Sequence, residues 1–182
     1  LLSDTLGSKS IAIGDVALLN QNFTSATDSY NVAIGHEAGN AVTTGINNTL
    51  IGGLAGDALT DADYNVAVGF QALGTDVLGS RSVAIGFEAL KTQNPGSAVD
   101  MYNVGIGFNA GQQITTGTHN TIMGGIAGDA LTTGQANVVI GYAAGSVGDN
   151  WSRCVAIGRA ALGNHNPSGT TAAVTANTAI GY

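Results

Sequence analysis

Aliphatic and small residues alternate in short bursts along this chain, and each burst closes on a glycine. Asn31-Val-Ala-Ile-Gly35 is the clearest copy, and ten copies can be aligned on their closing residues: Gly14, Gly35, Gly52, Gly69, Gly86, Gly107, Gly124, Gly141, Gly158 and Gly181. Taking that glycine as position zero, position −1 is Ile, Val or Met and position −3 is Ile, Val or Thr in every copy. Position −2 is mostly small: Ala12, Ala33, Ala67, Ala84, Gly105, Ala156 and Ala179. Period-two alternation rich in β-branched residues predicts one short strand per copy. The pattern assigns the large aliphatics Ile34, Ile51, Val68, Ile85, Ile106, Ile140 and Ile157 to the core. The small residues at −2 then face the other way, either loosely packed toward solvent or in close contact with another subunit.

The spacing of the copies fixes the architecture. The steps between successive marker glycines are 21, 17, 17, 17, 21, 17, 17, 17 and 23, and the first four add to a longer period of 72. Residues 31–69 lie over 103–141 without a gap, with 22 identities in 39 positions. Self-similarity at this period is the mark of a solenoid, in which each coil buries its apolar face against its neighbours. The expectation is an all-β parallel solenoid of about ten coils, one segment over 1–182. Its super-repeats run over about 10–81 and 82–153, with a partial third over 154–182. A single coil buries too little to offset the entropy of ordering its backbone, so stacking and association with other chains must stabilise it. The chain stops at Tyr182 in mid-motif, which reads as a segment of a longer fibre.

Polar positions repeat as strictly. Position −4 is Asn31, Asn48, Asn65, Asn103, Asn120, Asn137 and Asn177, interrupted by Ser10, Ser82 and Cys154, which fall one long period apart. Asn suits a corner leading into a strand, and stacked coils would align the amides into a ladder. Cys154 is thereby a corner residue and not a nucleophile. Position +3 is Ala from Ala17 to Ala161, and position +4 is Gly or Leu; a second short strand carrying the Ala inward would complete a two-strand coil. Position +1 collects His36, Phe70, Phe87, Phe108, Tyr142 and Tyr182. Rings in register stack on sugars in some proteins and on one another or on a neighbouring subunit in more. The longer spacings hold lateral excursions over roughly 19–30, 91–102 and 163–176. Such loops are the usual place for recognition in a solenoid, which makes Asn94, Pro95 and His165 candidate surface contacts, and Trp151, outside the excursions, is a further candidate.

Composition narrows the function. Gly is 28 of 182 residues, charged residues are 9 %, and the net charge is −7 with five Lys plus Arg, which speaks against a nucleic-acid partner. No run of 18 apolar residues exists, so no membrane insertion is expected. One cysteine allows no intrachain disulfide. His36, His119 and His165 sit at unrelated repeat positions without paired Cys or acid, so neither metal nor catalytic role is assigned to them. The glycines of 105–111 and 124–128 superficially match phosphate-cradling loops, but the repeat accounts for all of them and no helix pattern follows. The Gly-Gly-x-Gly-x-Asp pattern of calcium-binding repeats is absent. Asp57 and Asp129, each in Gly-Asp-Ala-Leu-Thr, read as turn caps. Asn22-Phe-Thr24, Asn47-Asn-Thr49 and Asn150-Trp-Ser152 match the glycosylation acceptor, as an Asn- and Thr-rich repeat does by chance. Twelve acids show no cluster of the kind glycan hydrolysis uses. The expectation is a protein without catalysis and without cofactor.

Asn-Val-Ala-Ile-Gly at 31–35, and with Val68 for Ile at 65–69, resembles the head repeats of YadA-like trimeric autotransporter adhesins. Thr-Thr-Gly-x-x-Asn-Thr-x-x-Gly at 43–52 and 115–124 looks even more like the shafts of phage tail fibres. The resemblance covers residues 10–182. It implies a left-handed β-roll in which three chains associate along flat faces, hence a homotrimer. It further implies an extracellular fibre on a virion or cell surface that attaches to a host glycan or surface protein. A tail fibre is the first reading; the head or shaft of a bacterial trimeric adhesin, or a self-assembling surface filament, is the alternative.

Overall fold

Ten three-residue strands form one parallel sheet in chain order: Ile11–Ile13, Val32–Ile34, Thr49–Ile51, Val66–Val68, Val83–Ile85, Val104–Ile106, Thr121–Met123, Val138–Ile140, Val155–Ile157 and Thr178–Ile180. The computed structural model describes residues 4–164, 173–174 and 176–182. Every strand pairs with the next copy in the same register, so Ala67 lies beside Leu50 and Ala84. The coils therefore stack as a β-solenoid of about nine turns, with no helix among the described residues. Three further two-stranded pairs, Gly7–Ser8 with Thr27–Asp28, Gly79–Ser80 with Val99–Asp100, and Trp151–Ser152 with Ala173–Val174, close the coils that carry the lateral excursions.

The inside of the coil is the reverse of the expected one. Ala33, Leu50, Ala67, Ala84, Ile122, Val139 and Ala156 at position −2 are fully buried and form the core with the Ala of position +3. The residues assigned to the core from the alternation point outward: Ile51 and Ile85 are 36 % and 37 % exposed, and Ile34, Val68, Ile106, Ile140 and Ile157 are only half-buried. The small −2 residues are accordingly neither solvent-facing nor a subunit contact. The physical reason is room. Each coil turns tightly through residues in the left-handed region at −5, +2 and +4, such as Tyr64 (φ 59°), Gln71 (φ 53°) and Leu73 (φ 52°). So narrow a bore admits only small side chains and one large one across the −2 and +4 positions of each level, with Leu59, Ile114 and Leu131 filling the far end of their coils. The +2 to +4 segment is a turn and not the second strand predicted for it.

Side-chain size is balanced across that bore. Ala12, Ala67, Ala84 and Ala156 face Leu18, Leu73, Leu90 and Leu162 at +4 of the same coil, whereas Leu50, Ile122 and Val139 face Gly56, Gly128 and Gly145. Where both positions are small, the neighbouring coils fill the gap: a Cβ on Gly111 would lie 2.9 Å from Leu90 Cδ2 and 3.0 Å from Ile122 Cδ1. Ala67→Leu alone is expected to overpack the level and cost about 1–3 kcal/mol. Ala67→Leu with Leu73→Gly should recover most of that loss in thermal melts followed by circular dichroism. Equal melting of the single and double variants would contradict the balance.

Candidate functional site

The internal polar ladder forms as the Asn repeat predicts, but its main bonds run to backbone. Each Asn Oδ1 accepts the N–H of the corresponding residue one coil on: Asn48 N–H to Asn31 at 2.9 Å, Asn65 to Asn48 at 2.9 Å, Asn120 to Asn103 at 2.9 Å and Asn137 to Asn120 at 3.1 Å. Each Nδ2 donates to a carbonyl of the following corner, as Asn65 does to Gly79 at 2.9 Å. Direct bonds between Asn amides are secondary, the shortest being Asn137 Nδ2 to Asn120 Oδ1 at 2.9 Å. Asn177, on the last coil, is exposed. Cys154 is buried and donates its backbone N–H to Asn137 Oδ1 at 2.9 Å, which places it in the ladder as a corner residue.

Where Ser replaces Asn, a residue that sequence reasoning passed over takes its place. Gln93 Oε1 accepts from Asn103 Nδ2 at 2.9 Å and from the Ser82 hydroxyl at 3.2 Å, and Gln93 Nε2 donates to buried Asp76 at 2.5 Å. Asp76 also accepts the Gly79 N–H at 2.8 Å. Gln21, Ser10 and Asp4 repeat the arrangement one super-repeat earlier. The signal was available: Asp4 and Asp76, like Gln21 and Gln93, share a place in the super-repeat.

One super-repeat later the same corner is solved differently. Gly148 stands in the place of Asp76 and Trp151 in the place of Gly79; the indole is fully buried and its N–H donates to Gly148 O at 3.2 Å. Trp151 is thus a core residue and not the surface contact expected of it. A Cβ at Gly79 would collide with the Asp76 carboxylate, so the two substitutions are coupled. Burial pushes the Asp76 carboxyl up from its ordinary value of 3.8, against the bonds from Gln93 and Gly79. A carboxyl raised in the fold favours the folded state below about 3.8, and that contribution is lost as pH rises through the folded-state value. Asp76→Gly/Gly79→Trp removes the carboxyl. Its stability relative to the parent should therefore increase from about pH 3.5 to about pH 7, and a constant difference in denaturant midpoint would show that burial does not raise the Asp76 carboxyl.

The outer surface carries three parallel strips along the solenoid. The sheet presents the outward residues of −3 and −1, ten strands long, with Met123 and Ile51 among the exposed ones. One flank is the left-handed −5 corner, where Arg81 lies 4.6 Å over the Tyr64 ring and 2.9 Å from Asp100, and the Tyr102 and His119 rings meet at 5.3 Å, tilted by 35°. Lys9 and Asp28 repeat the ion pair one super-repeat earlier, with Lys9 5.0 Å over the Tyr30 ring and the Asp28 carboxyl held low by the Lys9 ammonium 2.6 Å away. The other flank is the ring column of +1, with Phe70, Phe87 and Phe108 stacked at 5.6 and 5.3 Å.

The remaining candidates are dispersed. Asn94 is exposed and Pro95 half-buried on the excursion over 91–102, whose residues 96–100 are all exposed; His165 lies outside the described residues. His36 is 3.6 Å from Asp15 and 3.7 Å from Glu37. No group of three or more His, Cys, Asp or Glu able to hold a metal occurs among the described residues. Asp57 and Asp129 each keep one buried oxygen without a partner, and desolvation raises both carboxyls. Among the sequons, Asn150 is buried and Asn22 exposed. No helix among the described residues is long and apolar enough to cross a membrane. No protein-family model, curated protein or solved structure matches the chain.

Proposed function

We propose that this chain is a structural and adhesive segment of an extracellular fibre, a phage tail fibre that takes part in host attachment, assembled as a homotrimer and without catalysis. The observation that carries the reading is the outward sheet face. Two columns of outward residues run over ten parallel strands: position −1 is apolar throughout, from Ile13 to Ile180, and position −3 is Ile or Val except at Thr49, Thr121 and Thr178; Ile11, Ile13, Ile51, Ile85, Met123 and Ile180 are exposed. At about 4.8 Å per strand the face is roughly 43 Å long, and three residues at about 3.3 Å each make it roughly 10 Å wide. That area, about 430 Å², lies within the roughly 300–600 Å² of the largest apolar patches on proteins, which are often functional. Exposed apolar patches of this extent mark association surfaces. Copies packed lengthwise along such faces would form a rigid rod, with the excursions over 19–30 and 91–102 left free to touch a host glycan or surface protein.

Two measurements test this. Light scattering coupled to size exclusion should give three times the chain mass, and Ile85→Asp with Ile106→Asp should reduce it to one, since each buried unpaired carboxylate would have to be desolvated. A parent chain that runs as a monomer would refute the assembly. Immuno-electron microscopy with antibody against residues 91–102 should then label thin projections from phage tails. Label on cell envelopes or free filaments would refute the viral reading in favour of a bacterial adhesin or surface filament.

A further inference from the structure

The ring column at position +1 is interrupted by Asp15, Gly53, Gly125 and Arg159, and at the two glycines no side chain stands between the neighbouring rings. After Phe70, Phe87 and Phe108 the next position is Gly125, followed by Tyr142. A Cβ built on Gly125 would meet only the Tyr142 ring, at 3.5 and 3.8 Å, and no atom of Phe108 within 4 Å. Two coil rises, about 9.6 Å, therefore separate the Phe108 and Tyr142 levels. A ring placed midway would lie about 4.8 Å from each, inside the range at which rings stack. Gly53, between His36 and Phe70, repeats the break one super-repeat earlier, with Phe70 Cδ2 3.5 Å from the Cβ position. Both positions are notches one ring thick, and their aromatic walls stand in solvent: Phe108 is 55 % and Tyr142 56 % exposed.

We propose that these notches seat a neutral pyranose ring of a surface glycan, inserted edge-on between Phe108 and Tyr142 and, in the preceding super-repeat, between His36 and Phe70. A pyranose has two C–H faces that stack on the walls and a rim of hydroxyls that needs donors and acceptors. The notch supplies both kinds of contact. The Gly125 N–H, like those of Phe108 and Tyr142 on either side, makes no hydrogen bond among the described residues, its carbonyl already holds the Ala143 N–H at 3.0 Å, and the Tyr142 hydroxyl lies on the wall. No charged side chain stands between Phe108 and Tyr142 at this position; Arg159 lies one coil beyond, over the Tyr142 ring at 5.8 Å and bonded to the Tyr182 hydroxyl at 2.7 Å. An aromatic side chain from a second copy would fill the walls and leave the Gly125 N–H unbonded, so polar complementarity favours the sugar. The choice of a glycan rests on the adhesive reading above; the shape of the notch does not.

The test is saturation-transfer NMR on the intact chain with the methyl glycosides of glucose, galactose, mannose and N-acetylglucosamine. The C–H protons of at least one should receive saturation from the aromatic protons. Gly53→Val with Gly125→Val fills both notches, and neither glycine holds a positive φ. This variant should melt like the parent and lose the transfer at least tenfold. Phe108→Ser with Tyr142→Ser together with Phe70→Ser, which removes walls without adding atoms, should lose it as well. Failure of every glycoside to receive saturation would overturn the proposal, as would transfer unchanged in both variants. A change of oligomeric mass in the valine variant would overturn it too, by assigning the notch to a copy–copy contact. The fibre reading fails separately, by mass and by microscopy of the parent.

Discussion

Replacing Gly107 with Ala is expected to prevent stable folding, although it adds a single methyl group on a Gly-rich chain. Gly107 has φ +135°, a backbone conformation essentially closed to L-residues, and its added Cβ would sit 2.6 Å from Gly124 O and 2.7 Å from Gly124 C. The atoms in the way are backbone of the next coil, so no side chain can swing aside. To relieve the clash the coils must separate where Gly107 N–H bonds Ile85 O at 2.7 Å and Gly124 N–H bonds Ile106 O at 2.8 Å. Local strain of about 1–3 kcal/mol thus adds to disrupted ladder bonds, and a total beyond about 4 kcal/mol is expected. Gly125→Ala is the control: only the Tyr142 ring lies nearby, at van der Waals distance, and stability should change by less than about 0.5 kcal/mol. Urea midpoints of the two variants would decide. Similar midpoints would mean that the marker glycine is not held by the next coil.

The second large effect is expected at the ladder. Asn120 is fully buried and makes four side-chain bonds: it accepts from Asn137 N–H at 3.1 Å and Nδ2 at 2.9 Å, and donates to Gly134 O at 2.9 Å and Asn103 Oδ1 at 3.2 Å. Ala at this position removes the partners of a buried backbone N–H and a buried carbonyl, each worth about 1–3 kcal/mol when left unsatisfied. The loss should therefore be about 2–6 kcal/mol. Asn177, exposed on the last coil, should tolerate Ala with little change. Hydrogen exchange adds a local readout, because the Asn137 amide should lose protection first in Asn120→Ala. An equal effect at both positions would show that the ladder orders the corner without stabilising it.

Much of this was legible in the residues. The ten marker glycines gave the number and order of the strands of the main sheet, and the Asn positions gave the ladder, since both rest on local rules: Gly where φ is positive, Asn where a corner needs a side-chain partner. Which face of the strand points inward was not legible from alternation. Val-Ala-Ile has two aliphatics on one side and Ala on the other, and the usual rule puts the larger apolar surface inside. The reciprocal sizes of −2 and +4, Ala with Leu or Leu with Gly, carried the correct answer and were passed over. The candidate surface residues fared unevenly for a related reason. Asn94 lies exposed as its excursion implies, whereas Trp151 is interior because Gly148 vacates the volume that Asp76 occupies one super-repeat earlier.

Sequence alone determined the period, the parallel register, the marker glycines and the Asn column, because each follows from a repeat that must superimpose on itself at every coil. Only the tertiary structure decided which residues line the bore, where Gln93 and Asp76 complete the ladder, and how the rings of +1 stack and break at Gly125. Those features depend on how wide the coil is and on what the neighbouring coil leaves empty. Width is set by left-handed residues such as Tyr64 and Gln71, whose side chains do not announce that conformation. Occupied volume is a property of coils in contact, not of positions along a chain.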